Sequence, residues 1–164
     1  MKFSVKMTAK DLFEFSMYNS YSGAMGIFNV IFTVGALALL AVTWGWVSVY
    51  QKVLLVFCAL IFTVIQPALL YFKSKKQAEM IGFSTPVNIT LSDEKILVEQ
   101  AGVEGELEWG QIWKAVRIRT MYILKVGPSH AYLIPNASLE GREQELKELL
   151  KKNLPEKKTK GIKA

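Results

Sequence analysis

The chain has 164 residues, 51% of them hydrophobic, with Lys+Arg 20 against Asp+Glu 14 for a formal net charge of +6. That length leaves room for one membrane unit beside one modest soluble domain. The single cysteine, Cys58, excludes an intramolecular disulfide and a cysteine-built metal site, and its place inside an apolar run marks it as small filler.

The N-terminal KFSVKM alternates Phe3, Val5 and Met7 with Lys2, Ser4 and Lys6, the period of a half-buried strand. A strand needs a partner sheet, and only the C-terminal region has the composition to supply one. Thr8 then stands as an N-cap with Asp11 three residues on, a variant of the capping box, opening an amphipathic helix that carries Leu12, Phe13, Phe15 and Met17. Residues 1–22 therefore read as a cytoplasmic strand and helix leading toward a membrane.

Two runs, Ala24 to Trp44 and Val53 to Phe72, contain no charged residue. At about 1.5 Å rise per residue, each makes a helix of about 30 Å, the hydrocarbon thickness of a bilayer. Residues 23–73 read as a retained transmembrane hairpin, because amphipathic residues precede the first run and a second run follows it. Lys2, Lys6 and Lys10 precede the hairpin and Lys73, Lys75 and Lys76 follow it, while the connection Gly45 to Lys52 holds only Lys52. Basic residues stay inside, so both termini are expected in the cytoplasm of a multi-pass protein of the cell membrane.

A short connection makes the spans antiparallel neighbours, which sets Asn29 at the depth of Gln66 and Thr33 at the depth of Thr63. Polar side chains in hydrocarbon seek partners, so an Asn29–Gln66 hydrogen bond across the hairpin is expected. Gly35, Ala38 and Ala41 recur every three residues and would allow close helix approach. Pro67 lacks an amide to donate to the Thr63 carbonyl and should bend the second span. Neither span holds an ionisable residue, which argues against transport by the hairpin alone.

After Gly82 and Pro86 the period changes from 3.6 to 2. Strands are expected at Val87 to Leu91, Ile96 to Gln100, Val103 to Trp109, Trp113 to Arg119, Met121 to Val126 and His130 to Ile134, with Gly127-Pro128-Ser129 as a hairpin turn. Leu139, Leu146, Leu149, Leu150 and Leu154 share most of one face of a closing helix whose acidic residues come early and whose Lys151 and Lys152 come late. The fold class is α+β: a helical hairpin, then an antiparallel sheet module over residues 74–154 capped by a helix, then a basic tail over 155–164.

Two N-terminal spans, then strands carrying Trp109-Gly-Gln-Ile112 and Tyr132-Leu-Ile-Pro135, then a terminal helix, resemble the YcxB-like family of bacterial membrane proteins. The resemblance implies a small inner-membrane protein whose C-terminal domain looks like a pleckstrin-homology fold. It implies no activity and brings no site residues.

The inventory for catalysis is thin. His130 is the one histidine, no metal-ligand spacing appears, and no glycine-rich phosphate loop is present, so no enzyme and no cofactor are expected. Glu104, Glu106 and Glu108 read as a solvated strand face. Trp109, Trp113 and Tyr132 read as sheet core, with partner anchoring as their second use. Arg117, Arg119 and the tail lysines Lys157, Lys158, Lys160 and Lys163 are candidates for anionic lipid, which lies closer to such a tail than nucleic acid does. The expected function is a membrane-anchored binding or scaffolding module. Its partners are the bilayer, a membrane protein or a second copy of the chain. The rivals are an accessory subunit of a transporter or of a stress or immunity complex, and an anionic-lipid-binding surface module.

Overall fold

The computed structural model describes residues 1–127 and 130–162. The chain forms two compact units, Met1–Asp11 with Met80–Ala164 and Leu12–Glu79. The apolar hairpin is thus inserted into the sheet domain, between its first strand and all the others.

In the sheet unit, β1 (Lys2–Val5), β2 (Val87–Leu91), β3 (Lys95–Gln100) and β4 (Val103–Glu108) form one antiparallel sheet in the order β1-β2-β3-β4. β1 lies against β2 in the register Phe3↔Ile89 and Val5↔Val87, and Phe3, Val5 and Ile89 all turn into the core. The alternation that suggested a strand in KFSVKM is realised by this pairing. The β3–β4 turn is two residues, Ala101 and Gly102, both at positive φ (52° and 79°), as a tight hairpin requires.

A second sheet, in the order β7-β6-β5-β8, contains β5 (Lys114–Arg117), β6 (Met121–Lys125), β7 (Ala131–Pro135) and β8 (Thr159–Lys160). The helix that closes the unit, Glu143–Asn153, buries Leu146 and Leu150, with glutamates in its first turn and lysines in its last. These leucines meet Leu91, Ile96, Tyr122, Leu124 and Ile134 in one core drawn from both sheets. Burial of each such side chain contributes about 1.5–3 kcal/mol.

Four expectations change in this unit. The strand expected from Trp113 to Arg119 is shorter, and Trp113 is 61% exposed while Trp109 is buried with its indole Nε1–H donating to the Ser92 carbonyl at 3.0 Å. Trp109 leaves the strand for a short 3-10 turn, Trp109–Gln111, which shifts the alternation that would have turned Trp113 inward. Leu139 is buried from the 3-10 turn Asn136–Leu139, ahead of the helix and not on it. The segment read as a basic tail from 155 onward is built into the domain: β8 runs parallel to β5, and Ile162 is part of the core. Pro128, Ser129 and Lys163 lie outside the described residues.

In the other unit, the first helix, α1 (Ala9–Tyr21), ends at Ser22–Gly23 and is followed by α2 (Gly23–Thr43). The capping box that opens α1 is present, with the Thr8 N–H donating to Asp11 Oδ2 at 3.0 Å and the Asp11 N–H donating to Thr8 Oγ1 at 3.2 Å. A single 30-residue helical stretch, Val49–Ala78, returns antiparallel to α2, and both are long and apolar enough to cross a membrane. Lys52 belongs to this helix and not to the connection, because Ser48 and Gln51 form a capping box that starts the helix at Val49. The Lys52 ammonium sits over the Trp44 ring, 4.6 Å from its centroid. The buried small residues are Ala36 and Ala59, whereas Gly35, Ala38 and Ala41 point outward. A three-residue spacing drifts around a 3.6-residue helix, and the inward stripe instead steps through Asn29, Thr33, Ala36 and Leu40.

Gly161 tests whether the C-terminal segment is docked: it has φ +76°, and a Cβ there would stand 2.9 Å from the Arg117 carbonyl oxygen. Gly161→Ala is expected to lower the stability of the full chain in detergent by about 1–2 kcal/mol, read as a drop in the midpoint of thermal unfolding. A free tail would leave the midpoint unchanged.

Candidate functional site

A concave apolar feature of the sheet unit lies between the first sheet and β7. A cleft of about 210 Å³ is lined by Val5, Val87 and Val98 from the first sheet, by Tyr132 from β7, and by Met7 and Phe83. Phe83 belongs to the single helical turn Ile81–Ser84, which Gln100 fastens to β3. The Gln100 amide Nε2 donates to the Gly82 carbonyl at 2.7 Å and to the Thr85 carbonyl at 3.3 Å. Pro86 and Gly82, which read in the sequence only as helix stops, thereby help to frame a cleft, and Gln100 is a positioning residue that the strand pattern did not single out. The cleft has space for one apolar side chain or a short aliphatic segment, and its walls bring no nucleophile and no paired acid and base.

Several surface charges are arranged in pairs. Lys95 Nζ meets Glu106 Oε1 at 2.6 Å and Lys152 Nζ meets Asp93 Oδ2 at 2.7 Å, both exposed. The hydrogen bond to Glu106, then its charge, raises the Lys95 pKa above the usual lysine range. Glu104, Glu106 and Glu108 all lie exposed along β4, as expected of a solvated face. Arg117 is not free for lipid headgroups: its Nη2 donates to Glu143 Oε2 at 3.1 Å, and its guanidinium lies 5.7 Å from the centroid of the Tyr122 ring. The Tyr122 hydroxyl faces the same carboxylate oxygen at 3.4 Å. Burial raises the Tyr122 pKa above the usual phenol range, partly offset by the Arg117 charge. His130 is exposed at the start of β7, where its carbonyl accepts from the Val126 N–H at 3.0 Å.

Of the tail lysines, Lys158 is drawn inward, its Nζ donating to the Ile112 carbonyl at 2.7 Å and the Gly110 carbonyl at 3.4 Å. It pins the chain end to the 3-10 turn and is removed from the set available to anionic lipid. Lys157 and Lys160 remain exposed.

In the hairpin, Asn29 and Gln66 are not bonded to each other. Asn29 is 3% exposed, and its Nδ2 donates to the Ser20 carbonyl at 3.2 Å, while Gln66 Oε1 is buried with no hydrogen-bond partner. The reason lies in α1: its last turn leaves unpaired carbonyls that lie within reach of Asn29 and compete with Gln66 for its amide. Thr33 and Thr63 do come together, lining one cavity of about 170 Å³ with Tyr21, Val34 and Phe62, and the Thr63 hydroxyl donates to the Ala59 carbonyl at 2.9 Å.

Residues 91–151 match the family model described as YcxB-like protein. The chain carries a YcxB-like domain. The matched segment runs from the last residue of β2 into the closing helix, so β1, the hairpin and β8 lie outside it. No curated protein and no solved structure matches the chain. The YcxB-like domain contains the Trp109 and Tyr132 motifs that carried the resemblance, and among the described residues no group of three or more His, Cys, Asp or Glu is placed to hold a metal ion.

Because the folded state raises the Tyr122 pKa, the stability linked to its neutral phenol is intact below about pH 10 and is lost as pH climbs through the raised value. Melting of the full chain between pH 8 and 11.5 is expected to show this alkaline loss, and Tyr122→Phe to reduce it; equal slopes in the two proteins would refute the assignment. For the hairpin, Asn29→Leu is expected to destabilise by about 0.6–2 kcal/mol in detergent, and Gln66→Leu to be neutral or stabilising, since it removes a buried unpartnered oxygen. Equal losses at both positions would restore the cross-hairpin bond.

Proposed function

We propose that the chain is a non-catalytic, membrane-anchored module that presents its YcxB-like domain at the cytoplasmic face as a binding or scaffolding surface. The observation that carries this reading is the insertion of the apolar hairpin between β1 and β2. A hairpin that crosses the bilayer twice returns its two ends to one face, and the β1–β2 register Val5↔Val87 requires those same two ends to meet. The even number of spans and the strand pairing therefore make the same demand. The lysines that flank the hairpin and the single lysine near its tip support a cytoplasmic sheet domain.

The binding surface is the apolar cleft behind Phe83 and Tyr132, and the occupant that suits its size and lining is an apolar side chain of a protein partner. Capture of lipid headgroups by the tail is the weaker reading, because Lys158 and Arg117 are both engaged inside the domain.

Topology is tested by labelling single cysteines with a membrane-impermeant maleimide in intact cells, in a Cys58→Ser background. A cysteine at Trp46, between the two spans, is expected to label from outside. Cysteines at Ser4 and Glu156 are expected to label only after the membrane is opened. Outside labelling of Ser4 or Glu156 would overturn the proposed anchoring.

A further inference from the structure

The second apolar helix is interrupted by a π-helical turn, Ile61–Ile65, placed directly before Gln66-Pro67. Within that turn the Gln66 N–H donates to the Ile61 carbonyl, one residue farther back than in an α-helix. The Phe62 carbonyl is left without a backbone donor by either geometry. In the α pattern its donor would be Gln66, already committed to Ile61; in the π pattern it would be residue 67, a proline with no N–H. The Tyr21 hydroxyl donates to this carbonyl from the end of α1.

Two further features fix the end of α1 that carries Tyr21. Asn29 Nδ2 fastens the neighbouring Ser20 carbonyl at 3.2 Å. Gly26 lets the α1 terminus approach, since a Cβ at Gly26 would stand 2.1 Å from the Tyr21 carbonyl oxygen. Asn29 and Gly26 thus fix the end of α1, from which Tyr21 alone reaches the Phe62 carbonyl of the second apolar helix.

We infer that Tyr21 is the latch of a hinge in the second apolar helix: its hydroxyl replaces the amide that Pro67 lacks, and the helix bends at Ile61–Gln66 when that bond is given up. In water a solvent molecule would take the carbonyl and the latch would contribute little. In hydrocarbon no such donor is at hand, so the closed state depends on Tyr21. The inference rests on the membrane reading above, which the labelling pattern tests separately from the exchange pattern described next.

The test is hydrogen–deuterium exchange of the full chain in lipid nanodiscs, read over Ile61–Leu70 with Val49–Ala59 as internal reference. Tyr21→Phe keeps the ring and removes the donor, and exchange over Ile61–Leu70 is expected to rise about three- to tenfold while the reference segment is unchanged. Pro67→Ala gives the Phe62 carbonyl a backbone donor again, either through its own N–H or by returning Gln66 to the α pattern. Adding Tyr21→Phe to Pro67→Ala is therefore expected to change nothing further. Unchanged exchange in Tyr21→Phe, or an equal rise in both backgrounds, would overturn the latch. Should Tyr21→Phe alone fail to fold, the double variant is expected to fold, and its failure would overturn the inference as well.

Discussion

Everything in the sheet domain depends on a closure: β1 and β2 are hydrogen-bonded neighbours, yet the whole apolar hairpin lies between them in the chain. Loop-closure entropy rises only slowly with loop length, and a loop that folds on itself into antiparallel helices returns its ends together anyway. The strand β1 covers what would be an open edge of β2 and adds Phe3 and Val5 to the core. The match to the YcxB-like model starts only at residue 91, so the strand that completes the sheet comes from outside the recognised segment.

Where the sequence was informative, a single periodicity controlled a whole element. The two uncharged runs became the long helices, the alternation of KFSVKM became β1, and the leucines of the C-terminal helix became core. Thr8 with Asp11 marked a helix start correctly because both halves of that signal are local. Ser48 with Gln51 carries the same signal and starts the second long helix. The charge of Lys52 hides this start from a reading by hydropathy, although a long lysine stem can lie along a helix and place its ammonium on an aromatic ring.

What was not legible depended on contacts between elements. Equal depth in a hairpin pairs Asn29 with Gln66 only if no third helix end is nearby, and the end of α1 is nearby. Pro67 announced a bend, but its form as a π turn with an outside donor follows from where Tyr21 stands. The lysine-rich C-terminus looked solvated on composition, yet a two-residue parallel strand and the buried Ile162 need no compositional signal, only an open edge on β5. The cleft was invisible for a related reason: its walls come from strands distant in the chain, and the residue that frames it, Gln100, is an ordinary polar position at a strand end.

These features share one chemistry, and it bears on function. At points where the backbone leaves a regular ladder, a side-chain donor takes the displaced carbonyl: Lys158 at Gly110 and Ile112, Gln100 at Gly82 and Thr85, Asn29 at Ser20, Tyr21 at Phe62. Buried carbonyls demand such partners, and each donor so used is withdrawn from chemistry on a ligand. Lys158, Gln100, Asn29 and Tyr21 are thereby committed to backbone capping. Trp113 stands 61% exposed and the cleft beside Phe83 is walled by Val5, Val87 and Val98, apolar surface of the kind that the proposed binding role would use.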